Sequence, residues 1–336
     1  MIERSETIAD FLAATGWSEA ARQPLPGDAS FRRYVRLVRG PERVMLMDAL
    51  PPQENVRPFL AVARLLHRLG LSAPRILAED VAAGLLLLED FGDDTYTRLL
   101  AAGAAERPLY ELAVDLLIAL NRKFSPALAP DLPPYDDERL LAEALLLVDW
   151  YLPAITGAAT DPALRADYIS LWRGLFALAR GVPDTVVLRD YHVDNLMRLA
   201  GRPGIAGVGL LDFQDAVLGP SAYDLVSLLG DARRDVSPAL AAEMRERFLA
   251  AFPVLDRRAF LRSYAVLGAQ RNCKIVGIFT RLCVRDRKPA YLAHIPRVWR
   301  LIEDDLAHPA LAPLARWLER TIPASERRIP PCRPAA

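Results

Sequence analysis

Three oxygen-bearing side chains, Asp190, Asn195 and Asp212, have the types and the spacing that phosphoryl transfer requires. Asp190 lies five residues before Asn195, and Asp212 follows a short apolar run. The reaction needs a carboxylate that orients the attacking hydroxyl and accepts its proton, and oxygen ligands that hold Mg²⁺ on the β- and γ-phosphates. The sequence therefore predicts that Asp190 is the catalytic base and that Asn195 and Asp212 bind the metal.

Short strands and turns must position these three residues. Residues 186–188 and 196–199 have the composition of short buried strands, residues 201–204 that of a turn, and residues 207–211 that of the strand that delivers Asp212. An Asp and an Asn at this spacing also occur together by chance in loops. The predicted order of strand, loop, strand, turn and strand favours a catalytic loop over chance.

The chain divides near residue 91 into a β-rich part and a helical part. In the first part, residues 34–38 and 44–49 predict a hairpin, and residues 84–89 form a continuous apolar strand. Between them, residues 55–69 carry apolar side chains at helical spacing, with an Asn that can cap the helix and a Pro in its first turn.

Beyond residue 93 the apolar spacing becomes helical. Helices are predicted at residues 104–123, 136–150, 163–179, 239–251, 258–271 and 296–307, with another beginning near Ser221. The predicted fold class is α+β, a protein-kinase-like bilobal fold. Its divisions are a nucleotide-binding N-lobe of residues 1–91, a helical C-lobe of residues 92–325 with the catalytic loop and substrate site, and a disordered tail of residues 326–336.

Composition excludes several classes of partner. Lys and Arg total 42 and so do Asp and Glu, so no net charge attracts nucleic acid or an anionic membrane. No apolar run is long enough to span a bilayer, and the N-terminus lacks a signal-peptide layout. Cys273, Cys283 and Cys332 form no motif and are expected to be reduced thiols. We expect a cytoplasmic monomer that binds a small molecule.

Five segments resemble the aminoglycoside-phosphotransferase-like kinases. They are residues 27–34 (GDASFRRY), 47–49 with 51–52, 87–93 (LLEDFGD), 189–195 (RDYHVDN) and 209–236. Within that group, the sequences of residues 27–34 and 231–236 resemble those of the anomeric amino-sugar kinases. These enzymes phosphorylate N-acetylmuramic acid and N-acetylglucosamine in bacterial cell-wall recycling. The resemblance implies ATP and Mg²⁺ as cofactors.

The resemblance also implies roles for residues outside the catalytic loop. Ser30 would lie near the nucleotide phosphates, and Glu89 and Phe91 would meet the adenine edge. Asp224 would be a structural acid that ties down the backbone of the catalytic loop. Taken alone, residues 27–34 also fit an ordinary turn before a hairpin, and residues 87–92 also fit a buried strand that ends in a charged turn.

Two positions depart from the pattern of the resembling kinases. Many kinases place a lysine on the third strand to hold the phosphates, whereas Met47 stands there and the first 91 residues contain no lysine. Either an arginine such as Arg33 or Arg57 supplies the charge, or nucleotide binding is impaired. The resembling sugar kinases also carry Met-Asp-Ala at residues 47–49, which favours the first alternative. Leu188 stands where a His usually precedes the Arg-Asp pair, which puts catalytic efficiency in doubt more than mechanism.

Four further residues are candidates for contact with the acceptor. His192 lies in the catalytic loop and either touches the sugar or braces the loop. Asp215 could reach the metal or the sugar. Arg233 and Arg234 either complement the negative end of the preceding helix or bind an acidic or acetylated sugar.

These observations predict an ATP- and Mg²⁺-dependent sugar kinase. Its expected reaction is phosphorylation of the anomeric hydroxyl of N-acetylmuramate, N-acetylglucosamine or both, to the sugar 1-phosphate, in peptidoglycan recycling. One alternative is a kinase of another small alcohol, such as an aminoglycoside, choline or homoserine. The other is a nucleotide-binding pseudokinase with a regulatory role, which the missing lysine and Leu188 would suit.

Overall fold

A computed structural model describes residues 2–26 and 31–332 of the chain. It has two compact units. The first contains the residues up to 116 together with residues 193–216, and the second contains residues 117–192 and 217 onward. The predicted lobe boundary at residue 91 stays a prediction.

The first unit is built on a five-stranded antiparallel sheet with strand order β1-β2-β3-β5-β4. Its strands are β1 (Ala21–Pro24), β2 (Arg33–Arg39), β3 (Glu42–Asp48), β4 (Ile76–Asp80) and β5 (Leu85–Glu89). The predicted hairpin is confirmed, because β2 and β3 pair from Arg33 opposite Asp48 to Arg39 opposite Glu42. The predicted strand at residues 84–89 is β5.

Helices and one short strand pair complete this unit. The helices are α1 (Ile2–Ala14), α2 (Arg57–Arg68), α3 (Tyr96–Ala101) and α4 (Glu106–Lys123). The second unit begins at Leu117, within α4. The strand pair is β7 (Leu196–Arg198) with β8 (Val208–Leu210), as predicted. The N–H of Leu210 donates to the carbonyl of Ser72 at 2.8 Å, which fixes β8 to the loop that precedes β4.

The predicted helix at residues 55–69 is α2. Asn55 lies just before it and accepts a hydrogen bond from the N–H of Arg57 at 3.0 Å. The apolar face of α2 is buried, and Phe59 on that face packs against Phe213 with ring centroids 4.9 Å apart. This contact holds the residue that follows Asp212 against a regular helix.

The second unit is mostly helical. Its helices are α5 (Asp137–Ala144), α6 (Leu152–Thr156), α7 (Pro162–Ala179), α8 (Tyr223–Leu229), α9 (Pro238–Ala250), α10 (Arg257–Val284), α11 (Ile295–Leu306) and α12 (Ala312–Thr321). Strands β6 (Asp184–Val187) and β9 (Val217–Pro220) pair antiparallel. In the sequence, β6 ends shortly before Asp190 and β9 begins well after it. Across the described residues, no helix is long and apolar enough to cross a membrane.

Two predicted helices have different limits in the structure. Helix α10 runs 28 residues and not 14, because Gln270, Asn272 and Lys274 are buried inside the unit and interrupt its apolar periodicity. The segment predicted as one helix at residues 136–150 divides into α5, a π-helical stretch (Leu147–Tyr151) and α6.

The last described residues correct two further expectations. In the predicted tail, Tyr151 donates to the carbonyl of Arg328 at 2.8 Å and Arg327 pairs with Glu303 at 2.9 Å, so residues 326–332 are held by contacts and are not disordered. Residues 333–336 of that tail lie outside the described residues. Cys283 and Cys332 form a disulfide with their Cα atoms 5.9 Å apart, so the expectation of three reduced thiols is wrong for these two. Their separation of 49 residues in the sequence concealed the pairing.

The close approach of α10 to Leu146 yields a test of the packing. A Cβ atom at Gly277 would overlap the carbonyl group of Leu146, whereas one at Gly174, exposed on α7, would meet nothing within 4 Å. We expect Gly277→Ala to lower the free energy of unfolding by about 1–3 kcal/mol through overpacking. Gly174→Ala should raise it by about 0.5–1 kcal/mol through helix propensity. Urea unfolding measures both, and equal stability of the two variants would contradict the packing.

Candidate active site

The turn that carries Asp190 is held by a buried carboxyl group. Arg189 has φ of 70°, a left-handed conformation that residues with a Cβ rarely adopt. Asp224 at the start of α8 accepts the N–H of Leu188 at 2.7 Å and that of Arg189 at 2.9 Å. The N–H of Asp190 donates to the carbonyl of Leu188 at 2.9 Å. These contacts fit the scaffold role predicted for Asp224, and they hold the turn through the backbone of Leu188.

The side chain of Arg189 is held by Glu143 of α5. The Glu143 carboxylate also accepts from Lys274 at 3.0 Å, from Gln270 at 3.2 Å, and from the hydroxyl of Tyr135. Burial acts to raise the pKa of Glu143, but the charges of Lys274 and Arg189 outweigh it and lower the pKa to about 2. Glu143 therefore stays ionised and keeps Arg189 in place. Sequence reasoning missed Glu143 and Lys274, which lie 131 residues apart.

The charges around Asp190 favour its ionised form. Burial acts to raise the pKa of Asp190, but the positive charge of Lys274, together with the charges of Arg189 and Arg271, outweighs it, so the pKa lies below its ordinary value. Asp190 is therefore a carboxylate at neutral pH and is able to accept a proton. Asp224 differs, because burial raises its pKa to about 7 although two N–H groups donate to it.

The predicted metal ligands, Asn195 and Asp212, are brought together in the first unit. Strands β7 and β8 pair antiparallel, and the N–H of Leu211 donates to the carbonyl of Asn195 at 3.0 Å. Asp212 has φ of 55° and an exposed carboxylate. Gln214 donates to Asp212 at 2.9 Å and to Asp215 at 3.3 Å, so Asp215 also lies beside this pair.

The oxygen atoms of Asn195 and Asp212 suit a hard cation. Mg²⁺ typically takes one or two protein ligands and completes its shell with phosphate oxygens and waters. In the part of the chain that the structure describes, no group of three or more His, Cys, Asp or Glu side chains could hold a metal ion alone. Two candidate ligands that flank a short strand pair therefore fit Mg²⁺ that arrives with a nucleotide.

Arg32 places a positive charge beside Asp212. Its Nη2 lies 3.5 Å from the Asp212 carboxylate and its Nε lies 3.8 Å from Glu54, in a side chain only 12% exposed. Arg33, the first residue of β2, and Arg57, the first residue of α2, are both exposed. Sequence reasoning considered Arg33 and Arg57 and missed Arg32. The available signal was the arginine pair before β2 in a region without lysine.

The other predicted nucleotide contacts are located in part. Ser30 lies outside the described residues. Glu89 ends β5, and its carboxylate pairs with Arg75 at 3.2 Å and with Arg202. Phe91 lies beneath the guanidinium of Arg202, 5.4 Å from ring centroid to Cζ. The adenine contacts of Glu89 and Phe91 stay predictions.

The predicted substrate residues fall into two groups. Asp215 is in the first unit, whereas His192, Arg233 and Arg234 are in the second. His192 is buried, and burial lowers its pKa. Arg233 lies over the ring of Phe279, 5.9 Å from the centroid. The prediction that these arginines end a helix is wrong, because α8 stops at Leu229, and a helix dipole acts mainly within the last turn.

Comparisons with known proteins identify relatives of this chain. A model of the phosphotransferase enzyme family matches residues 21–261. The chain is 42% identical to the N-acetylmuramate/N-acetylglucosamine kinase of Caulobacter vibrioides, over 97% of this chain and 99% of that protein. It is 39% identical to the protein of that name from Pseudomonas aeruginosa, over 93% of this chain and 92% of that protein.

Solved structures share the fold. A choline kinase from Streptococcus pneumoniae aligns with a TM-score of 0.60 at 14% identity, over 91% of this chain and all of that chain. An ADP-bound aminoglycoside phosphotransferase aligns with a TM-score of 0.57 at 15% identity, over 90% of this chain and 96% of that chain. The predicted fold class, protein-kinase-like with a β-rich N-terminal part and a helical C-terminal part, is confirmed.

The position of Arg32 predicts which arginine supports nucleotide binding. Arg32→Ala should weaken the affinity for Mg²⁺-nucleotide by about 10- to 100-fold, the loss expected for a charge-assisted contact. Arg33→Ala, which removes an exposed neighbour, is the matched control and should change affinity little. Calorimetric titration with a nonhydrolysable ATP analogue measures both. A loss confined to Arg33→Ala or Arg57→Ala would show that the charge comes from elsewhere.

The raised pKa of Asp224 predicts a pH-dependent effect of its replacement. Its pKa is about 7 in the folded protein, whereas the ordinary pKa of an aspartate side chain is 3.8. Between these values the folded state binds more protons, so this group's contribution to stability falls as pH rises. Asp224→Asn removes that titration, and its amide can accept only one of the two N–H groups. The variant should be less stable, and the deficit should be smaller at pH 8 than at pH 5 by roughly 1–4 kcal/mol.

Urea unfolding at the two pH values measures this deficit. Asp235→Asn is the control, since its arginine partners lower the pKa of Asp235 and it stays ionised at both pH values. If Asp224→Asn instead loses more stability at pH 8 than at pH 5, the two N–H donors lower the pKa of Asp224 more than burial raises it.

Proposed function

The chain belongs to the phosphotransferase enzyme family and is a small-molecule kinase, and we propose that its substrates are N-acetylmuramate, N-acetylglucosamine or both. The observation that carries this proposal is the likeness, over almost the whole chain, to kinases named for these two sugars. The product would be the sugar 1-phosphate, and the reaction would serve the recycling of peptidoglycan amino sugars in the cytoplasm.

Asp190 would act as the proton acceptor. The sugar hydroxyl loses its proton to Asp190 as its oxygen bonds to the γ-phosphorus of ATP, and ADP leaves as that phosphorus–oxygen bond breaks. The lowered pKa of Asp190 makes it a weak base. A weak base suits an anomeric hydroxyl, because this hydroxyl is more acidic than the others on a sugar and gives up its proton late in a loose transition state.

Residues of the first unit would hold the nucleotide. Asn195 and Asp212 supply the oxygen ligands for Mg²⁺, which when bound neutralises charge on the phosphates. Arg32 adds a positive charge next to Asp212. The joint presence of Asp190, Asn195 and Asp212 supports an active kinase, because a pseudokinase that only binds nucleotide does not need all three.

Blocking the anomeric oxygen tests the proposed chemistry. We expect N-acetylglucosamine and N-acetylmuramate to be phosphorylated with labelled ATP, and the methyl glycoside of N-acetylglucosamine to bind without reacting. The product should lose its reducing end, and its phosphorus should couple to the anomeric proton in NMR.

Asp190→Asn should lower kcat by orders of magnitude while nucleotide still binds, because it removes the proton acceptor.

The outcomes separate the competing functions. Turnover of the methyl glycoside, or coupling to the C6 protons, would keep the kinase and reject the anomeric position. Turnover of choline, homoserine or an aminoglycoside in place of the sugars would reject the substrate. Nucleotide binding without turnover of any compound would favour the pseudokinase.

A further inference from the structure

Asp231 is a buried carboxyl group with one oxygen that no described residue satisfies. The residue is 1% exposed. Its Oδ1 accepts the N–H of Arg233 at 2.8 Å, whereas its Oδ2 is buried and accepts no hydrogen bond from the described part of the chain. Buried polar atoms are nearly always hydrogen-bonded, because a polar atom that loses its hydration without a partner is costly. Oδ2 is therefore a buried acceptor that the described part of the chain leaves without a donor.

Asp231 lies next to the segment that carries the catalytic base. The carbonyl of the preceding residue, Gly230, accepts from Nη1 of Arg271 on α10 at 3.3 Å. Among charged groups, Asp231 acts most strongly on His192, which lies two residues after Asp190. Three segments of the second unit thus meet here: the catalytic loop, the chain after α8, and the middle of α10.

The polar groups that meet here are almost fully removed from water. His192 is 5% exposed and Arg271 is 4% exposed, and both act electrostatically on Asp190. Together with Asp231 they offer an acceptor oxygen, an imidazole and a guanidinium. Oδ2 of Asp231 accepts no hydrogen bond from the described residues, whereas both oxygens of the Glu143 carboxylate accept hydrogen bonds.

We propose that Asp231, His192 and Arg271 form the acceptor-sugar site, in which Oδ2 of Asp231 accepts a hydrogen bond from an N–H or O–H group of the sugar. This inference rests on the proposed function. An amino sugar carries an acetamido N–H and several hydroxyls, and a carboxylate is the strongest acceptor for them. Such a contact would orient the sugar ring while its reacting hydroxyl faces Asp190.

Asp231→Asn reverses the polarity of the contact without changing its size. The amide oxygen must accept the N–H of Arg233, so the amide nitrogen replaces Oδ2 and presents a donor to the sugar's donor. We expect the sugar KM to rise by about 10- to 100-fold while the ATP KM stays within about two-fold, because only the sugar loses a contact. The control is Asp235→Asn, four residues on, which is exposed and paired with Arg297, and it should leave both KM values unchanged.

Sugar analogues provide an independent measurement on the native protein. The series consists of N-acetylglucosamine, its 3-deoxy, 4-deoxy and 6-deoxy analogues, and glucose and 2-deoxyglucose for the acetamido position. Removal of the group that donates to Asp231 should weaken binding about 10-fold or more in the wild type, and should weaken Asp231→Asn little further, since contacts of one pair are not additive. If Asp231→Asn does not fold, the wild-type series decides, and equal affinities across it overturn the proposal.

The results distinguish this inference from the function on which it rests. If the wild type phosphorylates the sugars but Asp231→Asn keeps the wild-type sugar KM, the function stands and the site is wrong. If both KM values rise together and stability falls, Asp231 is structural, with its Oδ2 satisfied by an internal water. If the wild type phosphorylates none of the sugars, both proposals fall.

Discussion

The left-handed backbone of Arg189 is the constraint on which the second unit's catalytic segment depends. A residue with a Cβ holds this conformation only where its surroundings compensate the strain. Here Asp224 accepts two successive N–H groups of the turn, and Glu143 holds the Arg189 side chain. The left-handed conformation of Arg189 therefore sets the direction of the chain between the end of β6 and Asp190. Asp224 binds the backbone N–H groups of Leu188 and Arg189, so these hydrogen bonds do not depend on which side chain stands at position 188.

Charge near Asp190 is arranged so that one carboxylate stays ionised and another takes up a proton. Asp190 is half-buried, Asp224 is buried, and the charge of Arg271 acts on both, yet their pKa values move in opposite directions. Lys274 and Arg189 act on Asp190, whereas backbone N–H groups are the main stabilising partners of Asp224. Full charges stabilise a buried carboxylate more than neutral donors do. The fold thereby holds two neighbouring carboxyl groups with opposite shifts in pKa, as the proposed roles of Asp190 and Asp224 require.

In the first unit, an arginine before β2 lies beside Asp212, whereas the position on β3 where many kinases have a lysine carries Met47. Arg32 reaches Asp212 and Glu54 from the segment before β2, not from β3, where Met47 is fully buried. A phosphate site requires positive charge at a point in space, and the long arginine side chain allows that charge to come from a neighbouring strand. Arg32 is therefore our candidate for the charge that a third-strand lysine supplies in many kinases.

The sequence alone determined the β2–β3 hairpin, helix α2, the strand pair β7–β8 and the candidate roles of Asp190, Asn195 and Asp212, because turn residues and apolar periodicity act over short stretches of chain. Only the tertiary structure decided the extent of α10, the packing of residues 326–332, and the partners of Arg32, Glu143 and Asp231. Each of these depends on groups brought together from distant parts of the chain, as Lys274 and Glu143 are. A buried polar residue breaks the local pattern, and its role becomes visible only when its long-range partner is known.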